Sequence, residues 1–151
     1  MSGLGGIYRL DGAPADPGTV ETVLATLRRR GPHGAGTWVQ GPVGLAHTTL
    51  ASTPQGALES QPLALGDPEL AITADARLDN REELRSLLDV HPDGAVGDGE
   101  LILRAYRKWG EACPQHLLGD FAFALWDARE QKLFCARDPF GVRPFFYHHA
   151  P

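Results

Sequence analysis

Layered α plus β architecture is the fold class this sequence predicts, and three patterns predict it. Strand-like runs come in two groups, helical segments interrupt each group, and the run Phe121-Ala122-Phe123-Ala124-Leu125-Trp126 is apolar on both alternating faces. A strand apolar on both faces is one covered on two sides. Stacked sheets between helical layers satisfy all three patterns.

The elements follow in chain order. Gly3-Leu4-Gly5-Gly6-Ile7-Tyr8-Arg9-Leu10 reads as a glycine-rich strand starting almost at the terminus, its glycines letting other backbone approach closely. Asp16-Pro17 supplies an N-cap and a proline at the first helical position, and Val20, Val23, Leu24 and Leu27 recur at helical spacing, so a helix is expected to about Arg30. Gly31-Pro32-His33-Gly34 ends it, and Thr37–Gln40 and Val43–His47 form a hairpin across Gly41-Pro42. The Pro-, Gly- and Ser-rich stretch from Leu50 to Pro68 is expected as a surface loop. Leu70–Ala74 resumes a strand, and Asn80 with Glu83 makes a capping-box start for a helix carrying Leu84, Leu87 and Leu88. A further helix follows Asp98, with Leu101, Ile102, Ala105, Tyr106 and Trp109 on one face. Leu133–Ala136 and Phe145–Tyr147 are the last expected strands.

Composition narrows the function classes. The 151 residues are 42% hydrophobic, enough for one core, and carry 14 Lys+Arg against 19 Asp+Glu for a net charge of -5. That balance gives no basic footprint for nucleic acid or an anionic membrane surface. No run has the length of a membrane span or signal-peptide core, so a cytoplasmic location is expected. Cys113 and Cys135 form no CxxC pair and are expected as buried thiols. His33, His47, His91, His116, His148 and His149 show no zinc-type spacing, so no metal site is expected. Arg28-Arg29-Arg30 reads as a solvated helix end favoured by the macrodipole.

Two long runs, Gly119-Asp120-Phe121-Ala122-Phe123-Ala124-Leu125-Trp126-Asp127 and Ala136-Arg137-Asp138-Pro139-Phe140-Gly141-Val142-Arg143-Pro144, identify a resemblance to a known family. Arg30-Gly31-Pro32-His33-Gly34, Leu45-Ala46-His47, Trp109-Gly110-Glu111-Ala112-Cys113 and the opening Met1-Ser2-Gly3-Leu4-Gly5-Gly6-Ile7 support it. Residues 1–151 as a whole resemble the glutaminase domain of the asparagine synthetase family, a class II glutamine amidotransferase with the N-terminal-nucleophile fold. The resemblance implies a four-layer αββα sandwich.

It also implies where a site would lie. In the family, a cysteine exposed by methionine removal attacks the glutamine side-chain amide, with its own α-amine as base; here that position is Ser2. Serine can be such a nucleophile, but Ser2 is read first as a residue that simply begins a strand. The arginine that holds the glutamine α-carboxylate aligns with Thr49, which removes a bidentate fork. The Asn-Gly-Glu triplet, which supplies an oxyanion hole and an acid for the substrate ammonium, aligns with Asp75-Ala76-Arg77. An ionised Asp75 about 4 Å from developing negative charge would oppose the transition state by about 4 kcal/mol at an effective dielectric near 20. Asp75 and Arg77 share a strand face and are expected to pair with each other or with neighbours, filling the old pocket. Asp98 matches a glutamine-binding position, and as a helix N-cap it has a structural explanation of equal weight. Arg137, Asp138 and Arg143 are read as structural.

The expected function is therefore a degenerate glutaminase-like domain, the N-terminal scaffold of an asparagine-synthetase-like, ATP-dependent amide-forming enzyme. Among relatives that abandoned glutamine, lasso-peptide cyclases and β-lactam synthetases, the run Ala74–Asn80 resembles the lasso-peptide cyclase type more. No cofactor is expected in this domain; ATP and magnesium are expected for a C-terminal synthetase domain, which would be the partner as a further domain or a split subunit. A peptide substrate and a homodimer stay open. The alternatives are an active N-terminal-serine glutamine amidotransferase and an amino-acid or peptide binding module.

Overall fold

The computed structural model describes residues 1–51, 57, 59–66, 70–91 and 94–150. Strands β1 (Gly3–Tyr8), β2 (Gly34–Gln40) and β3 (Val43–Thr49) form an antiparallel sheet in the order β1-β3-β2. Strands β4 (Leu70–Leu78), β5 (Gly119–Asp127) and β6 (Lys132–Arg137) form a second, in the order β4-β5-β6. Helix α1 (Pro17–Leu27) lies on the outer face of the first sheet, while α2 (Arg81–Leu87) and α3 (Asp98–Trp109) cover the second. The four layers run α, β, β, α, as the family resemblance implies.

Local chemistry explains the elements. Asp16 caps α1, its Oδ2 accepting the Thr19 N–H at 2.8 Å and the Thr19 hydroxyl at 2.7 Å, and Pro17 opens the helix. Helix α1 ends at Leu27, short of the expected Arg30, because nothing on Arg28, Arg29 or Arg30 has core to face; all three are exposed. Val20 and Leu24 are buried against Ala46 of β3. The helix sits close because the sheet beneath it is glycine-rich: a Cβ on Gly5 would lie 2.7 Å from Val23 Cγ1, and one on Gly44 would overlap the Val20 side chain. Between the sheets, Val43, Leu45, Ala71, Ala124 and Trp126 interdigitate, and Tyr8 meets Trp126 with ring centroids 5.2 Å apart. The larger core lies between β4–β5 and α2–α3, where Ile72, Leu84, Leu101, Ile102, Phe121 and Phe123 are fully enclosed. Strand β5 is thus covered on both faces, which is what its unbroken apolar run requires.

Several expectations are corrected. Phe145–Tyr147 is not a strand: Phe146 and Tyr147 are 87% and 88% exposed, and Phe145 alone packs against the inter-sheet core. An apolar run is ambiguous when its partner strand is unknown. Asn80 does not cap the α2 backbone; its side chain bonds Glu83, the His116 carbonyl and the Leu118 N–H, tying the helix start to the β5 approach instead. Cys113 is buried as expected, whereas Cys135 is exposed on edge strand β6. The expected loop from Leu50 to Pro68 lies in part outside the described residues, and its segment from Glu59 to Leu65 turns inward, with Leu63 bridging Ile72 in both directions at 2.8 and 2.9 Å. Among the described residues no helix is long and apolar enough to cross a membrane.

Because valine is stiff at χ1, Val20 cannot swing clear of a methyl on Gly44. Gly44→Ala is expected to cost about 1–3 kcal/mol through overpacking, read as a lower urea midpoint at unchanged m-value.

Candidate functional site

Strand register gathers the candidate residues at one end of the sandwich. Gly3 pairs with Thr48, which places Ser2 beside Thr49 and Leu50 at the end of β3. Asp75 on β4 pairs with Ala122 of β5, and Ala122 with Arg137 of β6, so the loop after β6 starts two strands away from Asp75 on the same level. Helix α3 points its first turn, Asp98 and Gly99, at the same place. Together with Met1, His47, Glu59, Gln61, Ala74, Ala76 and Arg143 these residues line a cleft of about 50 Å³. One water needs ~10–15 Å³ by this measure, so with Met1 in place the cleft holds a few waters and not an amino acid.

Asp75 is the centre of its bonding. Its Oδ1 accepts the Ser2 N–H at 3.0 Å, and its Oδ2 stands 3.4 Å from an Arg143 guanidinium nitrogen. Both side chains are enclosed, 11% exposed for Asp75 and 15% for Arg143. Burial pushes the Asp75 carboxyl above its ordinary value, against the opposing pull of Arg143 and the Ser2 N–H. Ser2 Oγ accepts the Leu50 N–H at 3.0 Å.

Arg143 is delivered by the loop that follows β6, and Asp138 shapes that loop. Its Oδ1 accepts N–H groups from Phe140 (3.1 Å) and Val142 (2.9 Å), its Oδ2 that of Arg143 (3.0 Å), while its own N–H reaches the Phe121 carbonyl at 2.7 Å. Burial alone would raise the Asp138 carboxyl, but the N–H groups of Arg143, Val142 and Phe140 hold it below its ordinary value. Within the Arg-Asp-Pro-Phe-Gly-Val-Arg run Asp138 holds the loop, while the second arginine enters the cleft, where its buried Nε has no hydrogen-bond partner among the described residues.

The other candidates divide. Arg77 does not fill the pocket; it is exposed and pairs with Asp79 at 3.2 Å, because β4 there runs past the cover of the first sheet. Asp75 and Arg77 therefore pair with different neighbours rather than with each other. Asp98 is not a side-chain cap of α3: its Oδ2 accepts the Leu78 N–H at 3.3 Å and its Oδ1 pairs with Arg81. The free amides of the α3 first turn are met by Glu59, from Gly99 N–H (3.2 Å) and Glu100 N–H (2.8 Å). Gln61 accepts the Ala74 N–H at 2.6 Å. Glu59, Gln61 and Arg143 were not singled out by sequence as site residues, since a carboxylate inside a Pro- and Ser-rich stretch reads as a solvated loop.

His47 lies beneath the cleft, 2% exposed. Thr73 Oγ1 donates to the Ala46 carbonyl at 3.2 Å, so its oxygen is left to accept from His47 Nδ1 at 3.1 Å. Burial lowers its value to about 4. Among the described residues no group of His, Cys, Asp and Glu could hold a metal ion.

An amine base needs its nitrogen free and neutral. Here the Ser2 nitrogen faces a carboxylate, which favours the charged form of any amine exposed by methionine removal. The start of the chain is thus tied through the Ser2 N–H to the Asp75 carboxylate.

The fold matches that of the glutamine phosphoribosylpyrophosphate amidotransferase of Bacillus subtilis, with a TM-score of 0.73 at 20% identity over 95% of this chain and 38% of that one. A glutamine amidotransferase domain family model matches residues 1–151, and the chain belongs to that family, in its asparagine-synthetase type. A Mycobacterium tuberculosis protein named as a glutamine-hydrolyzing asparagine synthetase is 42% identical over 133 residues, covering 80% of this chain and 20% of the relative. Asparagine synthetase (glutamine-hydrolyzing) 3 of Bacillus subtilis is 36% identical over 132 residues, covering 85% of this chain and 22% of its own. The chain thus spans about a fifth of the length of these relatives.

The folded-state value of His47 lies below the ordinary 6.5. An unfolded chain therefore takes up this proton first on acidification, and the stability from neutral His47 is complete above pH 6.5 and lost as pH falls towards 4. Wild type is expected to lose on the order of 3 kcal/mol more than His47→Asn between pH 7 and pH 4 in urea titrations, other groups cancelling in the difference.

Proposed function

We propose that this chain is a degenerate glutaminase domain over residues 1–151, without turnover of its own, that serves as the N-terminal scaffold of an ATP-dependent, asparagine-synthetase-like amide-forming enzyme of the lasso-peptide cyclase type. The single observation that carries the reading is the Asp75 carboxylate on the Ser2 nitrogen at 3.0 Å. In a working N-terminal nucleophile the α-amine takes the hydroxyl or thiol proton; an amine paired with Asp75 is held as ammonium and has no lone pair to offer. An acid near the developing oxyanion adds a second obstacle, since loss of even one oxyanion donor costs roughly 10²–10³ in rate. The absence of an arginine at Thr49 supports the same reading.

The synthetase chemistry belongs to the partner. ATP and magnesium would be bound by a synthetase domain or subunit, which the sandwich would support, and the assembled enzyme would close an amide on an amine already present in its substrate, in the cytoplasm. Scaffolding then needs the fold and not the glutaminase.

Ammonia release tests this. Purified protein with Met1 removed is expected to release no more ammonia from glutamine than a Ser2→Ala control, and Ser2→Cys alone is expected to remain as inactive. Measurable turnover by either protein would instead identify a serine or cysteine amidase and overturn the reading.

A further inference from the structure

Glu59 occupies the cleft in a way that neither loop packing nor the proposed scaffold role requires. Its carboxylate crosses 40 residues of sequence to accept Gly99 N–H at 3.2 Å and Glu100 N–H at 2.8 Å. Gln61 Nε2 donates to the same carboxylate at 3.3 Å. The seat is built for it. A Cβ on Gly99 would stand 2.8 Å from Glu59 Oε1, and one on Gly97 would overlap the carboxylate carbon, so two side-chain-free positions leave the space the carboxylate fills. Its surroundings are dry enough that burial pushes the Glu59 carboxyl up despite three donated hydrogen bonds.

The position of Glu59 has a second consequence. Thr49, Glu59 and Gln61 line the small cleft and also a larger depression of about 520 Å³ that reaches His33 and Ala51. The Glu59 side chain is part of the partition between them. Arg143, whose buried Nε has no hydrogen-bond partner among the described residues, also lines the small cleft.

We infer that Glu59 is a built-in plug: its carboxylate occupies a preformed carboxylate seat at the start of α3, partitions the cleft, and keeps the domain closed to small external carboxylates. This builds on the resting, substrate-free cleft of the preceding reading. The two remain separable, because one is read by ammonia release and the other by binding.

Truncating Glu59 should convert the seat into a binding site matched to what was removed. Glu59→Gly lacks a three-carbon acid and is expected to bind propionate; Glu59→Ala keeps Cβ, lacks a two-carbon acid and is expected to prefer acetate. In ¹⁵N-labelled protein the Gly99 and Glu100 amide resonances should shift saturably on titration, with an apparent affinity at least tenfold above any response of wild type. Glu59→Gln, which keeps the shape, should stay silent to both acids. An equal response of wild type and the truncated variants, or no saturation at Gly99 and Glu100 in either variant, would sink the inference. Should truncation unfold the protein, wild type still decides: the two amides must move with a titration that Glu59→Gln abolishes, and without that difference the plug does not exist.

Discussion

A single carboxylate joins the first residues of this chain to its last loop. Asp75, near the end of β4, takes the Ser2 N–H on one oxygen and faces Arg143 on the other, so it links the two sheets and the loop after β6 at one point. Everything at that end of the sandwich is positioned relative to it. Such a pair adds little net stability, because desolvating both charges offsets most of their attraction. Its value is positional: Asp75 holds the chain start beside the end of β3 and gives Arg143 a partner inside the cleft.

Asp138 makes that geometry possible from the other side. A loop of Pro139, Phe140, Gly141 and Val142 has few internal restraints, and Phe140 is 92% exposed. Three N–H groups converging on one carboxylate replace the missing core, and Gly141 supplies the positive φ of 64° that the turn needs. A residue conserving charge without its acceptor geometry could not do the same, since each N–H must end on an oxygen lone pair. The two acids thus divide the work, one shaping the loop and the other receiving its arginine.

The sequence was legible where a residue's role is set by its neighbours in the chain. Asp16-Pro17, the α3 face from Leu101 to Trp109 and the doubly apolar β5 run all formed as their local patterns dictate. Roles decided by distant partners were not. Asp98 has the residue type and position of a cap, yet Glu59 arrives from 39 residues earlier to take the helix amides and frees Asp98 for Arg81 and Leu78. Arg77 shares a strand face with Asp75, but the covering sheet ends between them, and alternation says nothing about where a neighbouring layer stops. Phe145–Tyr147 has strand composition but pairs with no strand among the described residues. In each case the missing information was a tertiary partner, not a propensity.

Electrostatics gives the altered cleft a different character from the one its residue types suggest. Asp75, Glu59 and Asp98 would make a strongly acidic pocket if taken alone. In place, Arg143 answers Asp75, Arg81 answers Asp98, and the α3 amides answer Glu59, all from within the chain. At 3.4 Å and an effective dielectric near 20, the Asp75–Arg143 attraction is about 5 kcal/mol before desolvation. A zwitterionic substrate entering here would have to displace partners already in contact, and would gain only what those partners lose. Substituting the Ser2 side chain changes none of these pairings. The charges of the cleft are thus met from within the chain, and the Ser2 hydroxyl, which takes the Leu50 N–H, is party to none of those pairs.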